Sequence, residues 1–224
     1  VGSSLGTPNL LYQGFGALVV LALSSLWIGR RHLWDVVQGF RQPNKDDGRE
    51  ILSYRHAGVL LLCSGAIMTG WCILSGMSWW VAPLFLFVAF LLMFAITRIV
   101  AEGGLAVTKP TMMPNDVMVG AFGTGVLGPE NIGALGMSYP WMGQMRTTMM
   151  AAVIHGLKLA ESYTIDNRRR LFWAIMVAGV FATSSSIITV LVTGYRYGAL
   201  NLSEWFFGIG PATMPYTFVD YHLA

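Results

Sequence analysis

Two pairs of ionisable residues have the spacing that places side chains on one face of a helix. Arg98 and Glu102 are four residues apart and can form an ion pair, and His155 and Lys158 are three apart on a predicted helix over 141–162. Ionisable groups inside a membrane segment are functional candidates by default because burying them is costly. We predict that these four residues contribute to a substrate site. A structural ion pair between Arg98 and Glu102 is an equal alternative.

Three further candidates lie in the stretch between these pairs. Residues 103–145 contain nine glycines and four prolines, and their charged residues are Lys109, Asp116 and Glu130. We assign Asp116, Glu130 and the adjacent Asn131 to the same substrate site.

The sequence carries no motif that indicates a catalytic or metal centre. H-E-x-x-H, G-x-S-x-G and a glycine-rich phosphate loop between a strand and a helix are all missing. His32, His56 and His222 form no ligand pattern, so we predict no metal, no other cofactor and no catalytic residue. A membrane enzyme is therefore the third of three functional interpretations.

The composition places these residues in a membrane protein. Of the 224 residues, 54% are hydrophobic and 11% are charged, whereas soluble domains carry about 25% charged residues. This excludes a water-soluble enzyme, a disordered chain and a secreted disulfide scaffold. Four stretches reach the roughly 20 apolar residues that a spanning helix needs, at 10–29, 56–76, 78–97 and 171–193. We predict an all-α polytopic membrane protein with residues 1–224 as a single membrane domain.

The uneven distribution of basic residues predicts the orientation. Residues 30–55 contain six of the fourteen Lys and Arg residues, and residues 98–170 contain seven. Because basic loops are retained in the cytoplasm, we predict that both regions are cytoplasmic. The net charge of +3 is a small excess, so no nucleic-acid partner is predicted.

The first basic region, residues 30–55, is typical of a short interfacial helix followed by a polar loop broken at Pro43. Attraction to anionic lipid is one interpretation. Acidic residues of the loop, Asp46, Asp47 and Glu50, dilute the positive charge, so a solvated connector is the favoured one.

The segment 111–145 fits neither a membrane span nor a soluble loop. It contains two apolar pieces, 117–127 and 132–145, each too short to cross a bilayer. Apolar segments interrupted by glycine and proline are typical of re-entrant or broken-helix elements, whose irregular backbone must be buried in protein or line a wet cavity. We predict a re-entrant element with Arg98 and Glu102 at its cytoplasmic mouth. An interfacial loop packed on a neighbouring domain is the alternative.

Several short motifs taken together resemble a known family. In chain order they are Arg98-x-x-Ala101-Glu102-x-Gly104, Phe122-Gly123-Thr124, Gly128-Pro129-x-Asn131, Lys158-Leu159-Ala160-Glu161, Arg169-Arg170 and Tyr195-Arg196-Tyr197-Gly198-Ala199. The string resembles the uncharacterised DUF6785/DUF6784-like family of bacterial and archaeal polytopic membrane proteins. That family is distantly similar to the oligopeptide transporter superfamily, whose members move peptides or metal chelates and use re-entrant segments. The resemblance implies a prokaryotic cytoplasmic membrane and a chain that is a portion of a longer protein.

We therefore predict a secondary-transporter-like integral membrane protein, whose solute belongs by this distant resemblance to the peptide or metal-chelate class. The alternative is a structural or accessory subunit of a larger membrane complex. Small residues at four-residue spacing along the fourth span suit such packing, namely Ala174, Ala178, Ala182 and Ser186. The predicted partners are the lipid bilayer and transmembrane helices of the same or another chain.

Overall fold

The chain is built from helices. A computed structural model describes residues 8–41, 53–105, 108–142, 148–161, 168–203, 207 and 210–223. The helices are α1 (Pro8–Ile28), α2 (Arg30–Arg41), α3 (Tyr54–Leu74), α4 (Val81–Gly103), α5 (Pro114–Met137), α6 (Tyr139–Met142), α7 (Met149–Glu161), α8 (Arg168–Tyr197) and α9 (Gly210–Leu223), with a short 3-10 turn at Ala199–Asn201. No strand occurs in the described ranges.

Four of these helices are long and apolar enough to cross a membrane. They cover Leu10–Ile28, Tyr54–Leu74, Val81–Gly103 and Arg170–Tyr197. The prediction of an all-α polytopic membrane protein with four such helices is therefore confirmed. Helix α4 continues beyond residue 97, the end of the predicted span, through Arg98 and Glu102 until Gly104 adopts a left-handed conformation, with φ 63° and ψ 20°.

The corner between α3 and α4 is closed by backbone hydrogen bonds. The N–H of Gly76 donates to the carbonyl of Ile73 at 3.0 Å, and the N–H of Met77 donates to the carbonyl of Cys72 at 3.1 Å. This pair of bonds is a Schellman motif, and it requires the positive φ of 101° that glycine adopts without strain. A tight turn therefore joins α3 to α4, and the two helices pack against each other.

The central helix of the fold is α4, which packs against α1, α3, α5 and α7. Half of the residues in the most apolar 18-residue stretch of α4 are buried, and Phe85, Leu92 and Ile96 are almost completely enclosed. In the equivalent stretches of the other candidate spans, the buried share of the residues is 11% for α1, 6% for α3 and 0% for α8. The described residues therefore form one core around α4, and the other three candidate spans direct apolar surface outward.

The chain between α4 and α8 runs along α4 in both directions. From Gly103 it reaches Ser78, at the opposite end of α4, and then returns. The contacts follow α4 in order: Asn131 with Ser78, Trp141 with Phe85, Ala151 in the cluster of Leu92, and Lys158 with Ala101. Since α4 has 23 residues and is therefore about 34 Å long, these contacts are spread over most of its length.

Parts of the sequence-based predictions lie outside the described residues. These are the polar loop around Pro43 and residues 143–145 of the predicted re-entrant segment. The helix predicted over 141–162 is interrupted, because Thr148 is not helical and α7 begins at Met149.

Candidate functional site

Helix α5 is broken at two glycines. Gly123 (φ 75°, ψ 160°) and Gly128 (φ 74°, ψ 164°) leave the helical conformation and enter a region of backbone space that is essentially restricted to glycine. Pro129 follows the second break, where its fixed φ and missing N–H suit the first position of a new helical piece. Residues 114–137 therefore form three short helical pieces with two changes of direction.

A buried asparagine joins the two ends of this broken helix. The Asn115 side chain is 0% exposed, and its Nδ2 donates to the Leu135 carbonyl at 2.6 Å and to Ser138 Oγ at 2.9 Å. The Ser138 hydroxyl in turn donates to the Leu135 carbonyl at 2.7 Å. Because residues 20 and 23 positions apart are held together, the segment folds back on itself. The Asn115 Oδ1 atom is buried and has no hydrogen-bond partner within the described part of the chain.

A second asparagine fixes the tip of α5, residues 124–131, to the corner between α3 and α4. Asn131 Oδ1 accepts from the N–H of Ser78 at 2.7 Å, and Asn131 Nδ2 donates to Ser78 Oγ at 2.9 Å. The same Nδ2 donates to the Leu127 carbonyl at 2.7 Å, just before the break at Gly128. One side chain therefore bonds to polar groups of its own helix and of Ser78, which lies 53 positions away in sequence.

The carboxylate of Asp116 connects α5 to the C-terminal helix. Tyr139 donates its hydroxyl to Asp116 Oδ1 at 3.1 Å, and the Tyr139 ring packs on Phe218 of α9 with ring centroids 5.2 Å apart. Near this contact the two backbones approach closely, since a Cβ added to Gly136 would lie 3.0 Å from the carbonyl oxygen of Pro215. Asp116 is therefore part of the packing between α5, α6 and α9.

The other predicted residues gather at the Gly103 end of α4. Arg98 and Glu102 form the ion pair that their spacing predicts, with side chains 41% and 56% exposed. Lys158 donates to the Ala101 carbonyl, and His155 Nε2 lies 3.3 Å from the Leu105 carbonyl oxygen. A cation next to the last carbonyls of a helix is favourable because the helix dipole is negative there. Helix α7 is thus held against the end of α4.

The seven predicted site residues are therefore separated into two groups. Asp116, Glu130 and Asn131 belong to the broken segment and its tip, with Glu130 exposed, whereas Arg98, Glu102, His155 and Lys158 lie at the Gly103 end of α4. Asn131 contacts Ser78 and Lys158 contacts Ala101, so these two groups are anchored toward opposite ends of α4. Sequence reasoning missed Asn115 and its partner Ser138. It also missed Ser78 and Tyr139, the partners of Asn131 and Asp116. The run Pro114-Asn115-Asp116 was a usable signal, because these residue types favour the start of a helix.

A substitution distinguishes the two interpretations of the Arg98–Glu102 pair. Glu102→Gln is expected to change the free energy of unfolding by less than about 0.5 kcal/mol, because partly exposed pairs at i,i+4 contribute little. Thermal unfolding of the purified protein measures this. A fall in Tm of more than about 5 °C would instead show that the pair is a structural anchor for the end of α4.

The comparisons with known proteins identify a family and nothing more specific. Among the described residues, no group of three His, Cys, Asp or Glu side chains is placed to hold a metal ion. No curated protein and no solved structure matches the chain. The Family of unknown function (DUF6785) matches residues 2–221. Because this match covers nearly the whole sequence, the chain belongs to the DUF6785 family.

Proposed function

We propose that the chain is a secondary-transporter-like membrane protein, or part of one, in which α5 lines the path of a solute. The observation that carries this proposal is the glycine-broken backbone of α5, which folds back on itself beside a candidate membrane span. The solute class is a peptide or a metal chelate, taken from the distant resemblance to oligopeptide transporters. The membrane is the prokaryotic cytoplasmic membrane; residues 30–55 lie on its cytoplasmic side, and the stretch 98–170 starts and finishes on that side.

A broken helix suits solute binding because it frees backbone hydrogen-bonding groups. At membrane depth such groups must be buried in protein or face a wet cavity, and half-helix ends can then bind a ligand. In α5, residues 120–126 are exposed, while residues 117–119 and 134–136 are buried. The exposed part contains the break at Gly123 and ends two residues before the break at Gly128. It is therefore open to a ligand, and the buried parts hold it in place.

The two groups of polar residues would act at different points of the path. Asp116 and Asn131 brace α5, and Glu130 is exposed beside its tip. Arg98, Glu102, His155 and Lys158 would form the cytoplasmic mouth at the far end of α4. A solute would then meet the two groups in succession instead of being held by both.

Labelling of single cysteines tests the position of the α5 tip. In a background that lacks Cys63 and Cys72, Thr124→Cys is expected to react with an impermeant maleimide from the same side of the membrane as Ser75→Cys. Leu105→Cys is expected to react from the opposite side, because it follows the far end of α4. Labelling intact and permeabilised spheroplasts measures the side.

Leu135→Cys is the matched control, since Leu135 is completely buried in the same helix and should remain unlabelled on both sides. If Thr124→Cys reacts only from the side of Leu105→Cys, the segment is an interfacial loop and the proposed path is wrong. Uptake of labelled di- and tripeptides and iron chelates into proteoliposomes then tests transport directly.

The rival proposal, an accessory or structural subunit, is favoured by a different observation. In the most apolar 18-residue stretch of α8 no residue is buried, and in that of α3 only 6% of the residues are buried. Such faces suit contact with lipid or with helices of the same or another chain. Purification from native membranes distinguishes the proposals, because a stable stoichiometric complex favours the subunit and solute uptake by the isolated protein favours the transporter.

A further inference from the structure

Helix α2 is held beside the ends of two candidate spans. Gly29 alone separates it from α1, and it packs against both α1 and α3. The ring of His32 meets the ring of Tyr54 edge-on, with centroids 6.0 Å apart and an interplanar angle of 74°. Helix α2 therefore lies next to the first turn of α3, where a spanning helix would leave the membrane.

One side of α2 carries large apolar side chains that nothing in the described chain covers. Leu33 is 44% exposed, Trp34 64% and Val37 58%. Residues 33 and 37 share a helix face, and Trp34 lies beside them. A helix with exposed apolar side chains at the end of a span places them at the boundary between lipid headgroups and acyl chains.

The same region carries exposed positive charge. Arg30, Arg31 and Arg55 are all exposed, and Asp35 is the single acidic residue of α2. The Arg30 guanidinium lies 4.5 Å from the centre of the Trp27 ring and donates to the Trp27 carbonyl at 3.2 Å, which fixes this charge at the end of α1. Cations next to an apolar face complement a negatively charged lipid surface.

We propose that Arg30, Arg31, Arg55 and the exposed apolar side of α2 form a docking surface for the headgroups of anionic phospholipids. The solvated connector favoured by the sequence does not account for three large apolar side chains exposed at a span end. A lipid surface accounts for the apolar residues and the adjacent arginines together. This surface is independent of the proposed transport path.

Retention of labelled lipid by the purified 224-residue chain tests the proposal. The protein is incubated in detergent with tail-labelled phosphatidylglycerol or phosphatidylcholine, and the bound lipid is measured after gel filtration. The variant Arg31→Gln/Arg55→Gln is expected to weaken phosphatidylglycerol binding about thirtyfold at low ionic strength, since each basic residue near such a surface contributes about fivefold. Binding of phosphatidylcholine should not change.

The matched control is Lys109→Gln/Arg196→Gln, which removes two exposed charges elsewhere and should retain phosphatidylglycerol as the unaltered chain does. The unaltered chain should also release this lipid as salt is raised, because exposed charges are screened. Equal retention by both variants and the unaltered chain would overturn the proposal, as would equal loss from both variants. Retention that salt does not affect would also overturn it.

Discussion

Replacing Asn131 with alanine is expected to lower the free energy of unfolding by about 3 kcal/mol. The side chain is 6% exposed and satisfies the N–H of Ser78 and the carbonyl of Leu127. Alanine removes these bonds and leaves the N–H of Ser78 without its side-chain acceptor, and a buried group left unsatisfied costs about 1–3 kcal/mol. Thermal unfolding of the purified protein should show Tm lower by roughly 5–10 °C for a chain of this size.

The neighbouring Glu130→Ala is the matched control for this prediction. Glu130 is exposed, and exposed substitutions usually change stability by less than about 0.5 kcal/mol. A Tm for Asn131→Ala equal to that of Glu130→Ala would show that the tip of α5 is held by apolar contacts, such as those of Ile132, and not by the asparagine.

The spanning helices could be predicted because their signal is local. A run of about 20 apolar residues defines a span without reference to any other part of the chain, and α1, α3, α4 and α8 all follow such runs. The Arg98–Glu102 pair was predictable for the same reason, since its two members lie on one helix face. The local pattern does not fix the last residue of α4, because Gly103 and Gly104 are both capable of ending a helix.

The placement of the broken segment could not be predicted, because its partners are distant in sequence. Gly128 and Pro129 indicate a break, but they do not indicate where the pieces pack. Asn131 was a candidate for binding a solute, whereas in the structure its amide contacts Ser78, 53 positions away. No local pattern distinguishes an asparagine that braces a fold from one that binds a ligand.

The backbone conformation of Gly128 predicts a second large loss of stability. Gly128→Ala is expected to destabilise the protein by about 2–3 kcal/mol, because φ 74° with ψ 164° is open essentially to glycine alone. A Cβ at this position would meet no atom within 4 Å, so the cost comes from the backbone and not from a steric clash. Thermal unfolding measures the effect.

Gly125→Ala makes the same chemical change three residues away and should have the opposite sign. Gly125 is helical, and its added Cβ also meets nothing within 4 Å, so alanine should stabilise the piece by about 0.5–1 kcal/mol. The two variants are therefore expected to differ by about 3 kcal/mol although each adds one methyl group. Equal Tm values would mean that α5 is not broken at Gly128. In that case the second break of α5 would be absent, and the backbone groups that it offers to the proposed solute path would be paired within a helix.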